Sequence, residues 1–188
     1  MIGTRIRLDP LRPTDAPELA AAVTDGRLWE STVTMIPPPE GMAAFVDQRL
    51  AEVEAGSWEA FTVRRLTDDR IVGLTNYLHI DRANRRREIG GTWYAASAQR
   101  TAVNTEAKLL LLDHAFGPLE CIAVELRTHV RNAASRAAIE RLGAHQDGIL
   151  RHHLFMPDGS LRDTVVYSIL AAEWPALRDR LSVRLADG

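Results

Sequence analysis

The 188-residue sequence predicts a mixed α/β domain, with a largely antiparallel sheet flanked by helices. Two observations lead to this fold class. Strand-like and helix-like patterns follow the order strand, two or three helices, three strands, helix, strand, helix and two strands. Most of the strands are joined by short polar turns, whereas residues 88–128 form a strand–helix–strand unit that would pair in parallel or splay apart.

The predicted strands combine apolar and β-branched residues and are bounded by polar turns. They lie at about residues 6–8 and at residues 60–66, 71–80, 88–94, 121–128 and 163–170. The last strand is the second arm of a hairpin whose turn is Pro157-Asp158-Gly159.

The predicted helices carry apolar residues at helical spacing. The first begins at residues 13–15, and the others cover residues 28–33, 41–55, 103–116, 133–142 and 172–185. Glycines mark the ends of three of them, at Gly56, Gly117 and Gly143. We expect these strands and helices to form a single domain over residues 1–188.

Composition and charge exclude several classes of protein. The formal net charge is −2, which gives no electrostatic argument for nucleic acid as the main partner. No window approaches about 18 consecutive apolar residues, and the N-terminal residues do not resemble a signal peptide. The single cysteine, Cys121, cannot form an intramolecular disulfide, which fits a reducing compartment. We therefore expect a cytoplasmic protein with neither a nucleic-acid nor a membrane partner.

The most informative segment covers residues 88–112, where a strand leads through a polar loop into an apolar helix. The start of a helix exposes unpaired N–H groups and suits a phosphate or pyrophosphate. Small residues that would let an anion approach the backbone are Ala102, Asn104 and Thr105, and Arg100 could add a charged contact. The alternative is an ordinary turn, with Asn104 or Thr105 as the N-cap and Glu106 favouring the helix dipole.

This loop resembles the acetyl-CoA-binding motif of the GNAT superfamily, whose pyrophosphate loop reads Q/R-x-x-G-x-G/A. The matching residues are Gln99-Arg100-Thr101-Ala102-Val103-Asn104, and the Thr105-Glu106-Ala107 that follows is similar to the RimJ/RimL-like branch. The sequence departs from the motif at its glycine, which is Ala102, and at its last position, which is Asn104. Because alanine has a Cβ atom, it fits there only if its φ is negative.

A second stretch supports the same family. After a predicted strand, the chain reads N-x-x-S-x-x-x-x-x-R-L-G-A from Asn132 to Ala144, which resembles the GNAT region whose Asn and Ser face the cysteamine end of the cofactor. The resemblance assigns those roles to Asn132 and Ser135. The alternative is structural, with Asn132 as the N-cap of a helix and Ser135 in its first turn.

The resemblance implies the GNAT fold, an N-acetyltransferase activity and acetyl-CoA as co-substrate, without a metal ion. It also implies that the strand at residues 88–94 splays from the strand at 121–128, so that the pantetheine arm lies between them. The implied cofactor-binding residues are Trp93, Tyr94, Ala95, Gln99, Arg100, Thr101, Ala102, Val103, Asn104, Thr105, Asn132 and Ser135.

Direct attack of an amine on the thioester needs a base for the amine and an acid for the departing thiolate. Our first candidate for the base is Glu88, at the start of the strand that leads into the loop. Glu88 could instead pair with an arginine of the run at residues 82–87. Alternative bases are His79, His129, His152 and His153. Ser135 is the candidate acid and Tyr167 the second choice, although Tyr167 also fits a core strand.

The acceptor could belong to either of two classes. One is a protein or peptide amine, at an N-terminus or a lysine, and the other is a small amine such as an antibiotic, polyamine or amino acid. A non-catalytic acyl-CoA-binding module is the third possibility, because the glycine loop is altered. We expect residues 24–39 and the hairpin at residues 150–161 to form the acceptor groove. The protein is expected to be a monomer or a homodimer.

Overall fold

The computed structural model describes residues 1–186, so the last two residues of the predicted domain lie outside it. Seven strands form one mixed sheet in the described part of the chain. They are β1 (Ile6–Pro10), β2 (Glu59–Arg65), β3 (Ile71–Asp81), β4 (Arg86–Tyr94), β5 (Ala123–His129), β6 (His145–Phe155) and β7 (Leu161–Leu170). Their spatial order is β1-β2-β3-β4-β5-β7-β6, and every neighbouring pair is antiparallel except β4 and β5. The predicted fold class is therefore confirmed.

Helices cover both faces of the sheet. The α-helices are α1 (Ala16–Thr24), α2 (Met42–Glu54), α3 (Ala102–Phe116), α4 (Ala133–Leu142) and α5 (Trp174–Ala186). One apolar core lies beneath α3, α4 and α5 and the other beneath α1 and α2. The helix predicted at residues 28–33 is only a 3-10 turn, Leu28–Glu30. Among the residues that the structure describes, no helix has the length and apolar character needed to cross a membrane.

The parallel pair β4–β5 is short. Its register joins Arg86 with Ala123, Arg87 with Val124 and Glu88 with Glu125, and the two strands continue beyond Glu88 and Glu125 without pairing. The splaying of the two strands is thereby confirmed. Because β4 and β5 run in the same direction, the gap between them widens from Glu88 towards the start of α3.

Strand β4 also bulges against β3 where it borders this gap. The register shifts between the pairs Asn76–Gly90 and Leu74–Trp93, so that three steps on β4 match two on β3. Gly91 lies in the bulge with a φ of 56°, which a residue with a Cβ atom adopts only with strain. The Asn76 side-chain amide donates to the carbonyl oxygens of Gly90 (3.0 Å) and Gly91 (3.3 Å), which fixes the bulge.

The start of α3 is tied to the beginning of the chain by Glu106, which is buried. Its carboxylate accepts hydrogen bonds from the backbone N–H groups of Thr4 (2.6 Å), Arg5 (3.0 Å) and Ile6 (3.1 Å). The Thr4 hydroxyl donates to it as well (2.7 Å). Glu106 therefore anchors the N-terminal segment, instead of serving only the helix dipole as the sequence suggested.

Candidate active site

The loop that resembles the pyrophosphate motif leads directly from β4 into α3. Helix α3 begins at Ala102, and its N-cap is Thr101, whose hydroxyl accepts from the Val103 N–H (3.3 Å) and donates to the Ala98 carbonyl (2.7 Å). The interpretation of Asn104 or Thr105 as N-cap is therefore wrong, because both lie inside the helix.

The departure from the glycine motif is compatible with the backbone. Ala102 is the first helical residue, and helical residues have negative φ. The positive φ of this loop falls on the exposed Arg100, at 58°. A Cβ atom at position 102 therefore causes no backbone strain, and the N–H groups at the start of α3 remain available to an anion.

The end of β4 lines the gap between the splayed strands. The Ala95 N–H donates to Val72 of β3 (2.8 Å), so the N–H of Tyr94 is directed away from β3, towards the gap. The Tyr94 carbonyl accepts from the Gln99 side-chain amide (2.9 Å), which joins the strand to the loop. The Trp93 indole N–H and the Tyr94 hydroxyl are both buried without a partner among the described residues. These two side chains lie in the separate cores on opposite faces of the sheet, so it is the Tyr94 N–H that faces the gap and could bind a polar arm.

A charged cluster lies where β4 and β5 separate. The Glu88 carboxylate is only 5% exposed and contacts His79 Nδ1 (2.8 Å) and Arg127 Nε (3.3 Å). Arg127 also contacts Glu125 (2.8 Å), which in turn pairs with Arg86 (2.8 Å). These residues line one small pocket. Glu88 does pair with an arginine, but that arginine is Arg127 of β5 and not one from the run at residues 82–87 that the alternative named.

His79 connects this buried carboxylate with solvent. Its side chain is 60% exposed, and the hydrogen bond that it donates to the Glu88 carboxylate raises the pKa of its imidazole above the ordinary value. The sequence named His79 only as an alternative base. The structure instead joins His79 and Glu88 in one pair that could accept a proton and release it to solvent.

The helix that carries Asn132 and Ser135 begins with Asn132 as its N-cap and Ser135 in its first turn, as the structural alternative predicted. Asn132 is the N-cap of α4, and its side-chain oxygen accepts from the Ser135 N–H (3.0 Å). Gly143 ends the helix in the left-handed conformation, with a φ of 95°. A cap through Oδ1 leaves the Asn132 amide nitrogen for other contacts, so a role towards the cofactor remains a prediction.

Tyr167 lies on the opposite face of the sheet from Glu88. Its ring is fully buried in the core beneath α3, α4 and α5. Its hydroxyl donates to Glu140 (2.9 Å) and accepts from Arg136 (3.2 Å), both on α4. The core-strand alternative therefore describes its packing, and its role as an acid stays a prediction.

The two roles of Asn132 can be separated by a pair of variants. Asn132→Asp keeps the cap oxygen and removes the amide donor, whereas Asn132→Ala removes both. If the amide serves the cofactor, we expect both variants to lose activity, and only Asn132→Ala to lose about 1 kcal/mol of stability. Thermal unfolding and steady-state rates measure the two effects. Full activity in Asn132→Asp would show that Asn132 is only a helix cap.

A buried lysine lies beneath the β4 bulge. Lys108 of α3 is the only lysine in the sequence and is 6% exposed. Its ammonium group donates to Thr92 (3.0 Å), whose hydroxyl contacts Thr75 (2.8 Å). Burial lowers the pKa of Lys108 to about 7. Sequence reasoning missed this residue, although a lysine that precedes four leucines in an apolar helix was a visible signal.

The other candidate histidines lie on β5 and β6. His129 is buried at the end of β5, and burial lowers the pKa of its imidazole. His153 contacts the Thr164 hydroxyl (3.1 Å), whereas the backbone N–H of His152 donates to Asp163 (2.7 Å). None of these three contacts Glu88 directly. In the part of the chain that the structure describes, no group of His, Cys, Asp or Glu side chains is arranged to hold a metal ion.

Comparison with known proteins identifies the family. The chain matches the acetyltransferase (GNAT) domain over residues 5–145. It is 35% identical over 109 residues to the "Putative ribosomal N-acetyltransferase YdaF" of Bacillus subtilis, an alignment that covers 58% of each chain. The shared part is thus less than two thirds of that relative.

Solved structures share the whole fold. A GCN5-related N-acetyltransferase from Brucella melitensis superposes with a TM-score of 0.87 at 28% identity, over 98% of this chain and 84% of that one. Mycobacterium smegmatis RimJ, solved with CoA-disulfide, has the same fold with a TM-score of 0.81 at 23% identity, over 95% and 88% of the two chains. The chain therefore belongs to the GNAT acetyltransferase family, as the sequence motifs predicted, and is an N-acetyltransferase that shares its fold with RimJ.

Proposed function

We propose that this N-acetyltransferase transfers the acetyl group of acetyl-CoA to an amine of a protein or peptide. The observation that carries the proposal is the gap between β4 and β5, which begins at the buried Glu88 and opens towards the start of α3. The name "Putative ribosomal N-acetyltransferase YdaF" of the Bacillus subtilis relative favours a protein acceptor over a small amine.

In this proposal the cofactor enters from the side of α3. Its pyrophosphate binds the N–H groups at the start of α3 beside Arg100, and its pantetheine arm follows β4 from Trp93 to Ala95. The remaining contacts carried over from the motifs are Gln99, Thr101, Ala102, Val103, Asn104, Thr105, Asn132 and Ser135. The Tyr94 N–H, which is directed away from β3, would polarise the thioester oxygen.

The base and the acid then lie on opposite sides of the thioester. Glu88 contacts His79 and Arg127 on the face of the sheet away from α3, where the acceptor can approach. The carboxylate removes the amine proton, directly or through water, and His79 passes it to solvent. Ser135, or Tyr167 as second choice, lies towards α4 and protonates the departing thiolate.

If the pyrophosphate binds beside Arg100, the Arg100→Glu variant should bind acetyl-CoA more weakly than the parent protein. Because the substitution replaces a cation by an anion beside the pyrophosphate, we expect acetyl-CoA to bind about tenfold or more weakly in calorimetry. Arg141→Glu, which makes the same charge change at an exposed position on α4, is the matched control. Pantetheine, which has no phosphate, should bind both variants equally. Equal affinity of acetyl-CoA for the two variants would place the pyrophosphate elsewhere.

A thiol-release assay tests the activity and the class of acceptor together. The protein and acetyl-CoA are incubated with peptides that offer a free N-terminus, with N-terminally blocked lysine peptides, and with polyamines, aminoglycosides and amino acids. We expect the highest kcat/KM for a peptide amine. Turnover only with small amines would contradict the protein acceptor, and binding of acetyl-CoA without turnover of any amine would indicate a non-catalytic module.

A further inference from the structure

Beside the proposed base, the open face of β5 and β7 carries a second polar cluster. Val124 and Leu126 of β5 point into the core beneath α3, so the alternate residues Arg127 and His129 lie on the other face. His129 pairs in register with Thr164 of β7. The cluster consists of His129, Arg131, Arg162, Thr164 and His153.

The hydrogen bonds of His129 determine which of its ring nitrogens carries the proton. Its Nδ1 atom accepts from the backbone N–H of Arg131 (3.1 Å), so a neutral ring has its proton on Nε2. That Nε2–H lies 3.4 Å from a guanidinium nitrogen of Arg131, which is also a donor. Two donors thus face each other at a histidine that is only 2% exposed. An acceptor beside the pair, within hydrogen-bond distance of both nitrogen atoms, would satisfy both groups.

Arg162 adds a third donor to the cluster. Its Nε donates to the Thr164 hydroxyl (2.9 Å), which fixes the half-buried guanidinium in place. Within residues 1–186, neither Arg131 nor Arg162 forms an ion pair with a carboxylate. Burial lowers the pKa of Arg162, as expected for a cation that has been partly withdrawn from water. Among the described residues, the cluster therefore presents donors and positive charge with no carboxylate within ion-pair distance of either arginine.

We propose that His129, Arg131 and Arg162 bind a carboxylate of the acceptor, so that the enzyme prefers peptides with an acidic side chain a few residues from the reacting amine. The inference rests on the proposed function and names the substrate class of the same site. The cluster is distinct from the motif residues, which are proposed to bind the cofactor.

Electrostatic coupling connects this cluster with the proposed base. The pKa of His153 is lowered by burial and by the charges of Arg127 and Arg162, and Glu88 opposes that shift. Arg162 interacts with the charge of Glu88 as well. One acceptor could therefore place its amine at Glu88 and its carboxylate at Arg162.

A phosphate of the cofactor is the other possible source of the anion. The position of the cluster favours the acceptor as the source of the anion. The cluster lies on the face of the sheet away from α3, whereas the pyrophosphate is proposed to bind at the start of α3. The two sources can be distinguished, because a phosphate contact changes the affinity for acetyl-CoA, whereas an acceptor contact changes the preference among peptides.

The experiment compares two series of peptides in the thiol-release assay. One series places a single glutamate at position 2, 3 or 4 behind a free N-terminus, and the other places glutamine there. We expect at least one glutamate peptide to exceed its glutamine counterpart in kcat/KM by about tenfold. The ratio should fall towards one in Arg162→Gln and in Arg131→Gln. It should persist in Arg141→Gln, which removes an exposed arginine from α4, outside the acceptor groove.

The ratio reports on recognition, because damage to folding lowers both rates together. If no glutamate position is preferred, or if Arg162→Gln keeps the preference, the inference is wrong while the proposed function stands. If Arg162→Gln weakens acetyl-CoA binding and leaves the ratio unchanged, the anion belongs to the cofactor. Absence of transfer to every peptide would overturn the proposed function and this inference with it.

Discussion

Replacement of Glu88 by glutamine is expected to lower kcat about 100-fold or more for a lysine acceptor. The variant keeps the shape of the side chain and removes the group that accepts the proton. Deprotonation at pH 7 costs roughly 4.6 kcal/mol for a lysine amine with a pKa of about 10.4. It costs only about 1 kcal/mol for a peptide α-amine with a pKa of about 7.8. We therefore expect a smaller loss for an N-terminal acceptor than for lysine.

The matched control for this experiment is Glu125→Gln. Glu125 is the register partner of Glu88 on β5 and contacts the same arginine, Arg127. If the loss in Glu88→Gln reflects only a disturbed ion-pair cluster, the two variants should lose similar activity. A Glu88→Gln enzyme with full rate from about pH 6 to pH 8 would exclude Glu88 as the base and leave water or a histidine in that role.

The second large effect concerns stability and comes from Lys108. Burial lowers its pKa from 10.5 to about 7, so the unfolded chain binds more protons than the folded one between these values. The free energy of unfolding should consequently rise with pH across that window, by at most about 1.4 kcal/mol per pH unit. Below pH 7 the folded state carries the full cost of the buried charge.

Lys108→Met should abolish this dependence. The variant loses one hydrogen bond to Thr92, yet at pH 7 we expect it to be about 3 kcal/mol more stable than the parent. Denaturant unfolding at a series of pH values measures the slope of both proteins. Because Lys108 is the only lysine, its NMR signal in lysine-labelled protein gives the pKa directly. Equal slopes, or a pKa near 10 in the folded state, would contradict the prediction.

The fold could be predicted because local patterns and tertiary packing agree. Helix α3 lies within one residue of the predicted 103–116, and α4 coincides with the predicted 133–142. Both helices have an apolar face and a clear end, at Gly117 and Gly143. The helix predicted at residues 28–33 is wrong, because no residue of the Leu28–Glu30 turn is buried and no buried face supports a longer helix.

Much of the candidate site could not be predicted in this way. The motif indicated where the loop begins, but it did not place Arg127 beside Glu88, because that contact depends on the three-residue pairing of β4 with β5. The proton position on His129 likewise depends on a backbone N–H two residues further along the chain. Contacts between distant strands and the hydrogen-bonding state of a ring leave no local pattern in a sequence.

The single buried lysine has a consequence for the enzyme's own chemistry. An amine with a pKa near 7 is largely neutral at physiological pH and would react readily with a thioester if it were exposed. Packing of Lys108 between α3 and β4 keeps that nucleophile away from the reactive donor. Every other strongly basic side chain is an arginine, whose guanidinium stays protonated and does not attack thioesters. The protein thus offers no side-chain amine on its surface for self-modification, and lysine acetyl label recovered from a reaction belongs to the acceptor.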